Sequence, residues 1–570
     1  MTTTNSGEIS VSKFARKEIS EGDTSLTISG SPKGDNSYGD GVSVVINNEG
    51  RQLAFAKMHS AEEEQSFGGN ALKQIVDLEF DTIRGIYQII YDVNVLKASY
   101  YKLKSRPSSM TSSVDGVDLK ELEISKEFFK KLANDLKSEN FKPEPIRRIN
   151  IPESKRVISQ LGVFTIRDKI VQESLRTLLE SIYNKKFNIR SYGYLPNKGV
   201  HQLMKNLRSW SGVTWFVEGD IYRLFENLDH GILMNIIGRI IKDQQVLDLI
   251  WKFLRAGVLI DKVWYKTTIG ILQVGIISPI LSNIYLNKFD NYMEKIINEE
   301  TKKQTSLLNS EYIKKKLLFR SYKNEIRKKG YVELQDIKFT IRKVVKIYYN
   351  RYANGWLIGV FGNRQVAINF KLKVREFLKK ELNLELSSTK TKIIHAGTRK
   401  AEFLEFNVSS LILKKLFYAK DKIKKWISHV RIVIEAPYNR LKNKLVVKGF
   451  LTIKDGKWVI NSITKWINYN HAEIIYRYNC IIRGLVNYYS CVDNLMVFRK
   501  LIEYVLRHSC ALTFSRKFKL RSRKKIFRKF GKNLKDPVSG TKLAIPVSLK
   551  KNGRKYKNDI KWRDPFKIMD

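Results

Sequence analysis

Three cysteines in 570 residues, Cys480, Cys491 and Cys510, are odd in number and form no CxxC pair, which argues against a disulfide framework or a structural zinc site. The seven histidines are equally scattered. None belongs to the spaced His/Cys set of a zinc finger or the metal knuckle of a DNA-cutting module. No run of about 18 apolar residues is present, so a membrane span is not expected. The first residues, MTTTNSGEIS, lack both the apolar core of a secretory signal and the Arg-rich character of an organelle import peptide.

Acidic residues are scarce relative to basic ones: 56 Asp and Glu stand against 104 Lys and Arg, a formal charge of +48. Lys and Arg at that density displace counterions from a polyphosphate, which makes nucleic acid the expected partner. A hydrophobic fraction of 43% is ample for packed cores, and the length calls for several folded units. The charge is also polarised. Residues 1–70 hold six Lys/Arg against ten Asp/Glu, whereas residues 511–570 hold twenty against four.

Apolar residues at helical spacing predict helices from about Asp77 to Lys104, from Ser125 to Leu136, from Asp168 to Tyr183 and from His471 to Tyr489. Trp215 to Ile221 reads as a strand with Asp220 at its end. Ile347–Arg351 and Trp356–Phe361 read as the arms of a β-hairpin around Tyr352-Ala353-Asn354-Gly355, where Asn-Gly favours a two-residue turn with positive φ. The charged stretch 297–330 reads as a solvated helical insertion, and the pattern becomes helical and basic after Leu411.

Phosphoryl transfer to a growing strand needs divalent ions held by several converging carboxylates. Asp220 is a plausible first ligand, although a lone Asp at a strand end also serves as a turn or hydrogen-bonding residue. Its surroundings say more. Thr165-Ile166-Arg167-Asp168-Lys169-Ile170-Val171-Gln172-Glu173, Ser191-Tyr192-Gly193-Tyr194-Leu195-Pro196, Phe216-Val217-Glu218-Gly219-Asp220-Ile221 and Gln273-Val274-Gly275-Ile276-Ile277-Ser278-Pro279 follow one another along the chain. They continue through Leu386-Ser387, Lys390-Thr391, Ile393, His395 and Phe403-Leu404-Glu405-Phe406. This succession closely resembles the reverse transcriptase of group II intron maturases. Tyr478-Asn479, Ile482-Arg483-Gly484, Asn487-Tyr488-Tyr489 and Arg507-His508-Ser509-Cys510-Ala511-Leu512-Thr513 resemble the maturase-specific domain X of the same family.

The resemblance implies an α+β fold, with right-hand polymerase-like fingers and palm, a helical thumb and a helical domain X. On that pattern an acidic low-complexity extension covers 1–76 and fingers and palm cover 77–412, with a charged insertion at about 297–340. A thumb at 413–470, domain X at 471–540 and a basic tail at 541–570 complete the expected division. The departures fall where polymerase chemistry would sit. The family's Tyr-Ala-Asp-Asp is Tyr352-Ala353-Asn354-Gly355 here, so two metal-binding charges are absent and no residue is assigned a catalytic role. The nucleotide loop, close to Gly-x-Pro-Gln-Gly-Gly in the family, is Gly270-Ile271-Leu272-Gln273-Val274-Gly275, where Val274 would obstruct a triphosphate. The family's Leu-Gly pair is Leu404-Glu405.

The implied function is that of a maturase binding group II intron RNA within precursor mRNA and promoting its folding and splicing. That role requires no cofactor; Mg2+ enters only with residual polymerase activity, the alternative being an active RNA-directed DNA polymerase supporting intron mobility. Arg516, Lys517, Lys519, Arg521, Arg523, Lys524, Lys525, Arg528 and Lys529 alternate with Phe518, Phe527 and Phe530 and are the expected RNA contacts, with Arg483 and Arg507. Arg147, Arg148 and Arg167 match fingers positions that either lie near RNA or form structural ion pairs. His471 and His508 contact RNA or pack. No membrane partner is expected, and a homodimer is left open. Heavy use of Ile, Lys, Asn and Tyr suggests AT-rich coding DNA and a mitochondrial, alternatively plastid, location.

Overall fold

The computed structural model describes residues 85–104, 125–154, 157–260, 263–271, 275–326, 346–418, 424–544, 556–557 and 565–566. Side chains at 148–161, 303–326, 414–418 and 424–429 lie outside the description.

The fingers begin with α1 (Tyr87–Ile90), α2 (Val93–Lys104) and α3 (Lys126–Lys137). The single helix expected up to Lys104 is broken: Asp92 Oδ1 takes the Asn94 amide at 2.7 Å and starts a new helix. Ser125 caps α3 through the Phe128 amide. The strands β1 (Ile146–Ser154) and β2 (Val157–Val163) follow. Thr165 likewise caps α4 (Ile166–Tyr183), whose Ile170, Val171, Leu175, Leu178 and Leu179 are fully buried. A helix buried on nearly every face serves as a core post, here for the fingers–palm junction.

After β3 (Ser191–Tyr192) and α5 (Val200–Leu207) comes β4 (Trp215–Asp220). Next are α6 (His230–Gly238), α7 (Gln244–Leu254), β5 (Val258–Ile260) and β6 (Val263–Tyr265). The fingers sheet has the order β2-β1-β5-β6. The long helix α8 (Ser278–Ile326) starts apolar, with Ile284, Tyr285, Leu286 and Phe289 fully buried, and continues as helix into the charged stretch.

Then come β7 (Lys346–Tyr352), β8 (Gly355–Phe361), α9 (Arg364–Leu382) and β9 (Lys392–His395), completing a five-stranded palm sheet of order β3-β7-β8-β4-β9. Strand alternation divides its residues between two cores. Val217, Trp356, Ile358 and Val360 join the fingers side with α8 and α9, while Phe216 and Leu357 join the C-terminal helices.

The expectation of a helical pattern after Leu411 is corrected. β10 (Ala401–Phe403), β11 (Phe406–Tyr418) and β12 (Lys424–Glu435) form a sheet whose last two strands pair from Asn407↔Glu435 to Tyr418↔Lys424. The apolar residues of this stretch are mostly β-branched or aromatic, and pairing along the whole hairpin overrides the basic helical pattern. Helix enters only with α10 (Tyr438–Val447), followed by the β13 (Leu451–Lys454) and β14 (Lys457–Ile460) hairpin.

The C-terminal unit is α11 (His471–Tyr488), α12 (Leu495–Lys517) and α13 (Arg523–Phe530). Buried Tyr478 lies within hydrogen-bond distance of Ser509 and Thr513 on α12. The unit docks on the palm through the apolar core they share and through polar contacts. The His201 ring nitrogen meets the Tyr488 carbonyl at 2.8 Å, and Arg208 reaches Asp493 at 2.8 Å.

Candidate functional site

The palm turn is displaced by one residue from its expected place. Tyr352 pairs with Gly355, so Ala353 and Asn354 form the turn and Gly355 is already strand. Ala353, not Gly355, carries the positive φ, at 51°. Arg351 stabilises this conformation: one guanidinium nitrogen donates to the Ala353 carbonyl at 2.8 Å, and another meets Asp290 at 2.7 Å in a fully buried pair. Tyr349 donates to the same Asp290 at 2.7 Å. An Arg and Asp taken wholly out of water persist only when paired and hydrogen-bonded, as here.

On the neighbouring strand, Asp220 faces Gly355 across the β4–β8 ladder. Its Oδ1 accepts from the Asn354 side-chain amide at 2.6 Å and its Oδ2 from Lys390 Nζ at 2.5 Å. Gly219, one residue earlier, is required by Trp356: a Cβ there would lie 2.0 Å from the indole. Glu218 accepts from the Glu402 amide at 3.0 Å, and burial pushes its carboxyl up to about 7. One carboxylate, its two oxygens already taken by an ammonium and an amide, does not fit a pair of divalent ions. Among the described residues no three His, Cys, Asp or Glu side chains gather where they could hold a metal ion.

Leu272, Gln273 and Val274 lie outside the described residues, and with them the expected obstruction of a triphosphate. Leu404-Glu405 is the turn between β10 and β11, both residues at positive φ. Glu405 meets Arg440 at 3.2 Å and Lys444 at 3.1 Å on α10, while Tyr488 and Tyr489 donate to the carbonyls of Leu404 and Glu405. The glycine-less turn is thus clamped from two sides, which holds its strained backbone in place.

The expected RNA-contacting residues fall into separate groups. Arg516, Lys519, Arg521, Arg523, Lys524, Lys525, Arg528 and Lys529 are exposed around the end of α12 and along α13, and Arg483 is exposed on α11. Lys517 instead donates to the Ile467 carbonyl at 3.0 Å, and Arg507 pairs with Glu503 at 2.8 Å. Of the interleaved aromatics, Phe530 is buried and Phe518 and Phe527 pack partly buried against the core, so they anchor the basic segment. Arg147 is exposed on β1, while the Arg148 side chain lies outside the description. Arg167 donates to the Lys142 carbonyl at 2.5 Å and lies over the Phe141 ring at 4.8 Å. His471 packs against Phe514 and Phe530 and reaches the Leu534 carbonyl at 3.2 Å.

Residues 142–408 match the family of reverse transcriptases (RNA-dependent DNA polymerases), and residues 429–570 match the type II intron maturase family. The chain belongs to the group II intron maturases. It is 32% identical to the putative COX1/OXI3 intron 2 protein of Saccharomyces cerevisiae, over 81% of this chain and 55% of the relative. It is 29% identical to the group II intron-encoded protein LtrA of Lactococcus lactis subsp. cremoris, over 85% of this chain and 82% of the relative. The nuclear intron maturase 1, mitochondrial, of Arabidopsis thaliana is 22% identical over 65% of this chain and 59% of its own length. The chain thus spans a little over half the length of the yeast protein.

Three features of this maturase are not readable from the sequence. Lys390 lies within a motif, but its role as partner of Asp220 depends on β9 folding back along β4. Asp290 gives only a faint signal, the first acid after the apolar opening turns of α8. Tyr488 and Tyr489 belong to a motif, and nothing in their spacing shows that both reach the palm turn.

Proposed function

We propose that this maturase binds group II intron RNA within its precursor mRNA and promotes folding and splicing of the intron, without copying RNA into DNA. The observation that carries this reading is the engagement of Asp220 by Lys390 and Asn354, which leaves a neutralised cluster where a polymerase needs negative charge. Metal electrostatics contribute several kcal/mol of transition-state stabilisation, and each 1.36 kcal/mol lost is tenfold in rate.

What the chain's own residues supply is positive charge on a rigid frame. The exposed cations of α11 and α13 neutralise RNA phosphates that repel one another when intron helices pack. The polar docking of the palm on α11 keeps those cations at fixed separation from the fingers. A mitochondrial location is supported by the Arabidopsis relative, whose name places it in that organelle. The test is splicing of the host intron at low magnesium with and without the purified protein. The expected result is a rate that rises with protein and saturates; an unchanged rate overturns the proposal.

A further inference from the structure

One face of α12 is unlike the rest of the helix. Val497, Lys500, Tyr504 and His508 follow at spacings of three, four and four, so they form a single stripe. The stripe is open to solvent where a core helix would be covered: Val497 and Tyr504 are both 57% exposed and Lys500 is exposed. At its inner end the His508 ring is wedged between two aromatics, Tyr504 at 4.7 Å and Phe527 of α13 at 5.6 Å, both edge to face. Its Nδ1 is buried without a hydrogen-bond partner. The ring is therefore fixed by packing and gives Tyr504 a firm backing.

Cations rim this ledge. Burial, and after it the charges of the exposed Arg523 and of Arg507, hold the His508 imidazole below its ordinary range. Lys500 lies one turn from Tyr504, and Lys524 follows Arg523 on α13. Glu503, paired with Arg507, is the acid among these neighbours. An exposed aromatic ring ringed by positive charge has the chemistry of a single-stranded nucleic-acid platform, with a base on the ring and the flanking phosphates on the cations. A duplex offers no free base face to such a ring, and an apolar protein partner would not favour so many charges.

We propose that Tyr504, backed by His508 and Phe527 and flanked by Lys500 and Arg523, is a stacking site for one unpaired base of bound RNA. The site rests on the RNA-binding role above and adds to it a preference for nucleotides that are not base-paired.

The test uses the full chain and two RNAs, a hairpin with 2-aminopurine unpaired in its loop and a loop-free blunt duplex in which every 2-aminopurine is paired. Wild-type protein is expected to bind the unpaired probe more tightly and to quench its fluorescence. Tyr504→Ala is expected to weaken that binding about five- to a hundredfold and abolish the quench, leaving the paired probe unchanged. Tyr504→Phe keeps the ring and is expected to behave as wild type. Tyr504 is largely exposed, and an unchanged thermal midpoint separates loss of stacking from loss of fold. Equal binding of the two probes by wild type, or unchanged binding by Tyr504→Ala, overturns the stacking site while leaving the RNA-binding role standing. Binding of neither probe overturns both. A change in self-association without a change in RNA binding assigns the ledge to a protein contact and also overturns the site.

Discussion

The Asn354 side-chain amide donates to Oδ1 of Asp220 at 2.6 Å, joining the palm turn to the end of the adjoining strand. A neutral donor in this place turns two polymerase positions into one hydrogen bond. Asn354→Asp would set a second carboxylate against the first, with Lys390 alone to offset both. The variant is expected to lose about 1–3 kcal/mol of stability in chelator, because a hydrogen bond becomes a like-charge contact. It is also expected to gain a response to magnesium or manganese that wild type lacks, on the order of 2.7 kcal/mol at a hundredfold excess over the dissociation constant. Denaturant titrations with and without metal measure both terms. An equal metal response in wild type would contradict the neutralised site.

Gly219 is a packing requirement with no chemical role. The Trp356 indole occupies the space a side chain would need and is itself fully buried, so it has nowhere to move. Gly219→Ala is expected to cost about 1–3 kcal/mol from overpacking, read as a lower denaturation midpoint.

Stability should also depend on pH through Asp168, which burial pushes up to about 6 despite the hydrogen bond its carboxylate accepts from the Glu144 amide. The folded state then holds this proton more tightly than the unfolded chain, where an Asp titrates near 3.9. The resulting stabilisation is complete below about pH 4 and is lost as pH rises to about 6, a difference of roughly 3 kcal/mol by linkage. Asp168→Asn is expected to flatten the stability profile across that window relative to wild type, as read by denaturant midpoints at a series of pH values.

The cations of α13 predict a salt signature. Replacing Arg523, Lys524 and Lys525 together by Gln should weaken RNA binding and flatten the dependence of log affinity on log salt by about 0.7–0.9 for each phosphate no longer neutralised. Their side chains are exposed, so folding should be preserved. Filter binding across a potassium series reads the slope.

Much of this architecture is legible in residue patterns. The apolar spacing of Asp168–Tyr183 is that of α4, and the β-branched and aromatic residues of Trp215–Ile221 and Ile347–Phe361 mark the palm strands, which are covered on both faces. The turn register is misplaced by the pattern because Asn-Gly is a strong local signal. Buried Arg351 holds the Ala353 carbonyl and is itself held by Asp290 on α8, a partner far away along the chain that the local pattern does not show. The helical pattern expected after Leu411 fails for a related reason: a long two-stranded pairing is a non-local choice that basic residues do not reveal. Of the candidate site, the missing aspartates are visible at once. The Lys390 ammonium that answers the remaining carboxylate requires the sheet order to be known.

Primer extension on an RNA template by the purified full chain, with magnesium or manganese, tests the central claim most directly when the same preparation is assayed for splicing. The account predicts protein-dependent splicing and no cDNA above background, in wild type and in Asp220→Ala alike. Templated cDNA from wild type, abolished by Asp220→Ala, would contradict it.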